Sequence, residues 1–293
     1  MKKNHLWIML FAVLGLGVVS IAADNSPKPG VKKNPFFAYC MDTNDAKHRN
    51  LQQQAELLKE LGYDGCGHLW MDNIPERLKT LDSVGLKLFH VYIRVNIAAG
   101  NSQPYDKRLK DMLGLFKGRG VALQVLFEGM KASDPAGDTR AVELMREIAD
   151  LAKESGTELV IYPHFGNWVQ SISDAVRVAK KVDRPNVGVM FNLCHWMKGD
   201  EERDLKKAVT TAMPYLKAVS LQGTDTPGEI RSGKGNWIQP LGSGSYDMAD
   251  FLKILKEAGY KGPVGLQCYG IGGDARDHLS KSMDAWHRYN TAP

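Results

Sequence analysis

From Phe36 onward, short apolar runs alternate in strict order with longer amphipathic segments. That alternation constrains the fold more than any other feature. The apolar runs begin near Phe36, Tyr63, Lys87, Ala122, Glu158, Val187, Leu216 and Pro263. Helical patterns lie between them at 49–61, 75–84, 106–116, 138–154, 171–181, 201–212 and 246–258, and a last one at 274–289 closes the chain. Glycine follows Leu61, Val84, Ser155 and Ala258, as it commonly does where a helix ends in a left-handed turn. Strand–helix alternation implies a parallel sheet, and eight strands is the number that closes one into a barrel. A doubly wound open sheet would normally carry a glycine-rich phosphate turn after an early strand, and no G-x-G-x-x-G follows the first or second run. The expected fold is an α/β (β/α)8 TIM barrel, a single domain spanning 36–293.

The residues before it read differently. Lys2 and Lys3 precede the apolar stretch from Leu6 to Val19, small residues follow at Ser20, Ala22 and Ala23, and polar sequence resumes at Asp24. This is the order of a secretory signal peptide over 1–23, with a membrane anchor that escapes cleavage as the alternative. A Pro- and Gly-bearing linker, 24–35, would join it to the barrel. The expectation is an exported protein, periplasmic or extracellular, with no stable membrane insertion once the leader is removed. Five lysines in this region, Lys2, Lys3, Lys28, Lys32 and Lys33, supply most of the formal charge of +5, so the barrel itself is close to neutral and nucleic acid is not expected as a partner. Cys40, Cys66, Cys194 and Cys268 lie in or beside apolar runs without Cys-x-x-Cys spacing, which favours buried free thiols over disulfides.

Four stretches of the C-terminal half, GTELVIYPH, NVGVMFNLCHWMKGD, LKAVSLQGTD and PLGSGSYDMADFLKILKEAGYKGPVGLQ, resemble strands five to eight of the xylose isomerase-like barrels, which include sugar isomerases and sugar-phosphate epimerases. The N-terminal half matches in architecture only, through GYDG at 62–65. The resemblance implies a divalent metal held by a glutamate, an aspartate, a histidine and a second glutamate. The matching positions here are Tyr162, Asn192, Ser220 and Gln267, all neutral. Hard cations need carboxylate charge, so no cofactor is expected at the family's usual place. Mn, Zn, Co or Mg would enter only through a relocated site.

The resemblance also implies that His164 and His195 line a substrate pocket at the carboxyl ends of the strands, where barrel enzymes build their sites. Glu128 ends the apolar run ALQVLF and is the acid facing the mouth, with an ion pair to Arg94 as its plainer role; Asp42 and His68 are further strand-end polar groups. The expected catalytic set is Glu128, His164 and His195. The expected substrate-binding set is Tyr162, Trp168, Asn192, Gln222, Trp237 and Gln267, beneath a long glycine-rich loop, 223–244, in which Arg231 could meet an anion or pair with Glu229.

Three functions remain open at this point. One is a sugar isomerase or epimerase that removes a proton next to a carbonyl without a metal. Another is a catalytically inactive barrel that binds a carbohydrate or a protein. The last is a metalloenzyme whose ion has moved to Glu128, His164 and His195. A small carbohydrate is the expected partner.

Overall fold

The computed structural model describes residues 34–291, so the leader and nearly all of the linker lie outside the described residues. Eight parallel strands pair in chain order and β1 closes on β8: β1 (Phe36–Tyr39), β2 (Gly65–His68), β3 (Lys87–Asn96), β4 (Ala122–Glu128), β5 (Glu158–Ile161), β6 (Val187–Asn192), β7 (Leu216–Leu221) and β8 (Val264–Gln267). The helices are α1 (Leu51–Glu60), α2 (Ile74–Val84), α3 (Leu109–Phe116), α4 (Asp138–Ala152), α5 (Ile172–Val182), α6 (Leu193–Gly199), α7 (Leu205–Ala212), α8 (Pro227–Arg231), α9 (Met248–Glu257) and α10 (Ala275–Thr291). This is a TIM barrel, as the alternation requires.

Residue alternation along each strand divides the apolar side chains into two cores. Phe37, Tyr39, Tyr92, Leu126, Val160, Tyr162, Met190 and Ala218 fill the lumen. Their sequence neighbours, among them Ala38, Val91, Phe127, Ile161, Phe191 and Val219, face outward into the larger core beneath the helices. Aromatic rings therefore floor the carboxyl end: Tyr92 meets Tyr162 edge to face with centroids 5.1 Å apart. All four cysteines are buried and unpaired.

Local chemistry sets the helix starts. Asn50 and Gln53 form a reciprocal capping box at α1, Ser171 and Asp174 form another at α5, and Asp247 caps α9. The segment expected to be helical from Glu201 begins only at Leu205, because Asp204 takes the cap position and accepts the Lys207 N–H. Two helices were not anticipated from the sequence, α6 and α8. Asn192 is both the last residue of β6 and the N-cap of α6, so no loop marks the change from strand to helix. No helix among the described residues is long and apolar enough to cross a membrane.

Candidate active site

The carboxyl ends of β5 to β8 and the start of α6 gather the polar residues singled out above. Tyr162 continues the lumen face of β5 after Val160, and His164 stands two residues beyond it. Asn192 shares the lumen face of β6 with Met190, and is paired in register with Ser220 of β7. Gln267 ends β8 opposite Tyr39, a lumen residue. Gln222 follows β7 and is fully buried.

His164 and His195 lie together, their ring centroids 4.0 Å apart. One residue orients both. The Phe165 carbonyl faces His164 Nδ1 at 3.0 Å, so that nitrogen must carry the proton and Nε2 is left with a lone pair. The Phe165 N–H donates to His195 Nδ1 at 3.3 Å, so His195 carries its proton on Nε2. The pair thus offers one acceptor and one donor. Burial lowers the pKa of His164 against the opposing pull of the Phe165 carbonyl and of the Asn167 side chain, with Lys198 adding a smaller lowering. His195 is pushed well below the ordinary imidazole value by burial first, then by the charges of His164 and Lys198. Both rings are neutral at pH 7. The Phe165 ring occupies the space over Gly199, where even a methyl group would overlap it.

Trp237 reaches the same place from the long loop. Its ring stands edge to face with His195 at 5.6 Å, and the Lys198 ammonium lies 3.8 Å above it. Gln222 Nε2 donates to the Trp237 carbonyl at 3.2 Å. The loop folds back on itself through a bridge between Gly223 and Gln239, while Gly244, at positive φ, packs against the Thr224 backbone too tightly for any side chain. Arg231 does not pair with Glu229. Glu229 is taken by Thr226 and Ser245, whereas Arg231 Nη2 donates to the Trp196 carbonyl at 3.2 Å, near the end of α6. It ties the loop to the helix that carries His195.

Several expected residues stand apart from this group. Trp168 is fully buried in the outer core, edge to face with Phe127, and its indole N–H donates to the Asp134 carbonyl at 2.6 Å. It is a packing residue, because the loop after β5 turns inward and seats its ring in the outer core. Glu128 faces Arg94 at 3.0 Å, and Arg94 in turn lies over the Trp70 ring at 3.8 Å. His68 has both ring nitrogens engaged, by Arg77 and by the Asp72 carbonyl. The relocated set of Glu128, His164 and His195 is not assembled: among the described residues no three His, Cys, Asp or Glu side chains could hold one ion, and the Glu128 carboxylate is committed to Arg94.

The sequence profile described as xylose isomerase-like TIM barrel matches residues 55–289. The chain belongs to this family. An inosose isomerase of Halalkalibacterium halodurans is 25% identical over 244 residues, covering 76% of this chain and 84% of the relative. The barrel superposes on D-allulose 3-epimerase from Methylomonas sp. with a TM-score of 0.68 and 16% identity, over 88% of this chain and 98% of that one. It also superposes on the IolI protein with a bound zinc atom, with a TM-score of 0.62 and 19% identity, over 87% and 97% of the two chains.

In this xylose isomerase-like barrel the donor set at the matching positions does not fit a hard divalent cation. Asn192 Oδ1 already accepts from Ser220 Oγ and Cys194 Sγ, each at 3.1 Å. Gln267 Oε1 accepts the Tyr269 N–H at 3.0 Å. Burial raises the Tyr162 phenol far above its ordinary pKa, so it cannot serve as a phenolate ligand. No carboxylate stands at any of the four positions to balance a double positive charge. These groups suit a hydroxyl-rich ligand better: Asn192 Nδ2 and Gln222 Oε1 are buried with no partner among the described residues, one a free donor and the other a free acceptor.

Sequence reasoning missed Lys198 and Phe165. His195 and Lys198 are three residues apart, which puts them on one helix face, but that spacing has meaning only once α6 is known to be helical.

Proposed function

We propose that this barrel isomerises a polyhydroxylated ketone or aldehyde by moving a proton between carbons next to the carbonyl, using its own side chains in place of a divalent metal. The observation that carries this reading is the opposite hydrogen-bonding sense of the His164 and His195 rings. His164 Nε2 takes the proton from carbon. The C–H electron pair becomes the C=C bond of an enediol, and the carbonyl π pair moves onto oxygen. His195 Nε2–H donates to that oxygen. The hydroxyl proton on the adjacent carbon then passes to the neighbouring enediolate oxygen, and that adjacent C–O becomes the new carbonyl. The C=C pair takes the proton back from His164 at the original carbonyl carbon, which restores neutral His164. Both histidines stand on one side of the mouth, which suits transfer along one face of the substrate. Epimerisation would need a base on each face. The inosose isomerase relatives and the allulose epimerase likeness support a cyclic or open-chain sugar ketone as the substrate class.

Export belongs to the same proposal. The leader-like order of Lys2–Ala23 implies an unphosphorylated substrate met outside the cytoplasm, and N-terminal sequencing of the mature protein should begin near Ala23 or Asp24.

The decisive experiment incubates EDTA-treated protein with an inosose and with D-allulose in deuterated water and follows the carbons next to the carbonyl by NMR. Deuterium uptake with a new sugar isomer, unaffected by chelation, is the expected result. Activity lost with EDTA and restored by Mn, Zn, Co or Mg would overturn the metal-free reading. Binding of either sugar without exchange would leave a carbohydrate-binding barrel.

A further inference from the structure

Proton removal next to a carbonyl leaves negative charge on oxygen, and the four positions where the resemblance implies metal ligands, Tyr162, Asn192, Ser220 and Gln267, are neutral here. We propose that the Lys198 ammonium is the catalytic cation of this site, touching the oxygen on which that charge develops. The inference rests on the isomerase reading above and names the group that makes it energetically workable.

Three observations on the geometry support it. Lys198 stands on α6 one turn after His195, and α6 is fixed at its carboxyl end by Arg231 and by buried Asp200, whose carboxylate accepts the Ile172 N–H at 2.8 Å. The Lys198 Nζ lies 3.8 Å over Trp237 and 5.3 Å from the centre of the Phe165 ring. Those two residues are the ones that frame His195. Aromatic faces hold an ammonium in place without neutralising it, whereas a carboxylate would cancel its charge. No carboxylate forms an ion pair with Lys198 among the described residues, although Arg94, Arg177, Lys181 and Lys217 all have one. A half-buried cation, held by rings and left without a counter-ion beside a neutral base and a neutral donor, is poised for an anion that exists only during the reaction.

Burial is the main reason both histidines stay neutral, and the Lys198 charge adds to it. A nearby fixed positive charge disfavours imidazolium, so His164 keeps its lone pair for the substrate proton. Once His164 has taken that proton, the enediolate separates the two positive groups and lowers their repulsion.

The test compares Lys198→Met and Lys198→Arg with the parent chain, all EDTA-treated and all checked for an unchanged melting temperature. In deuterium exchange, Lys198→Met should lower kcat by about 10²- to 10³-fold, the loss typical of removing one oxyanion-stabilising group, with KM changed by less than about threefold. Lys198→Arg, which keeps the charge, should recover at least about tenfold of that loss. An unchanged kcat, or a loss confined to KM, would overturn the proposal, the latter by assigning Lys198 to an anionic group of the ground-state substrate. A second measurement does not need turnover. D-Arabinonohydroxamate, measured at an alkaline pH where the hydroxamic acid is ionised and mimics a planar enediolate, should bind the parent at least about a hundredfold tighter than D-arabinitol, and Lys198→Met should erase that preference. Equal binding of the two probes by the parent would overturn Lys198 as the cation. Tight hydroxamate binding with no exchange on any sugar would instead leave the cation in place and remove the isomerase reading.

Discussion

The two sides of the barrel mouth carry the same kinds of residue and use them in opposite ways. On the β3–β4 side, Arg94 and Glu128 face each other across paired strands, 57% and 40% exposed, and Trp70 stacks on the arginine. Each charge there has a partner and water. On the β5–β6 side, His195 is 4% exposed, its neighbour His164 is turned the other way by the same backbone residue, and the adjacent Lys198 lies over aromatic rings with no ion-pairing carboxylate among the described residues. Chemistry needs free valences beside a buried group, and the β5–β6 side supplies them next to His195, whereas the β3–β4 side has spent its own. A strand-end acid facing the mouth is therefore a poorer guide to function than the state of its hydrogen bonds.

The contrast can be broken by substitution. His164→Ala should have the largest effect, a loss of about 10²- to 10⁴-fold in kcat, the range for removing a general base, with the melting temperature held. A variant that keeps parental turnover would move the base elsewhere, Glu128 being the next candidate.

Gly199→Ala comes next. Its methyl group would collide with the Phe165 ring and shift the backbone atoms that orient both histidines. Because the Phe165 ring is exposed and can swing aside, stability should fall by less than the cost of core overpacking, about 1–3 kcal/mol, whereas displacement of the tautomer anchors should cost at least about tenfold in kcat/KM. Thermal unfolding and steady-state kinetics would report the two effects separately.

The pH dependence sharpens the same comparison. His195 has a folded-state pKa below its unfolded value of about 6.5, so its contribution to stability is complete above that pH and is lost as the pH falls below it. His90, sealed in the lumen and held at about 3, and His278, held at about 4, act in the same direction. Melting temperature should thus decline from about pH 6.5 down toward pH 4. The acid limb of kcat/KM should fall below pH 6.5, because burial and Lys198 keep His164 deprotonated there. An acid limb above pH 7 would contradict the assignment of His164 as the base.

Glu128→Gln should do least. An exposed ion pair contributes about 0–1 kcal/mol, and kcat should change by less than about threefold. A loss of a hundredfold would put a second base on the opposite face of the substrate and favour epimerisation.

Most of the barrel was legible in the sequence, because strand alternation and helix periodicity are local patterns. Leu205–Ala212 began later than expected because a single cap, Asp204, outweighed an extended polar pattern. The helix α6 was hidden for the reverse reason: β6 runs into it with no polar break. Trp168 resembled a loop aromatic above the site, yet the chain around it turns inward and its N–H meets a backbone carbonyl in the outer core.

By itself the sequence determined the number and order of the strands and the replacement of charged by neutral groups at Tyr162, Asn192, Ser220 and Gln267, since periodicity and side-chain charge belong to the residues themselves. It could not say which polar groups at the strand ends are spent and which are free. That was decided by tertiary structure alone: Phe165 orients His164 and His195 through two backbone groups, Arg94 satisfies Glu128, and Trp237 comes from a loop some forty residues after Lys198 to hold its ammonium. Whether a polar group is free depends on partners brought from distant parts of the chain, and only closing the barrel brings them within reach.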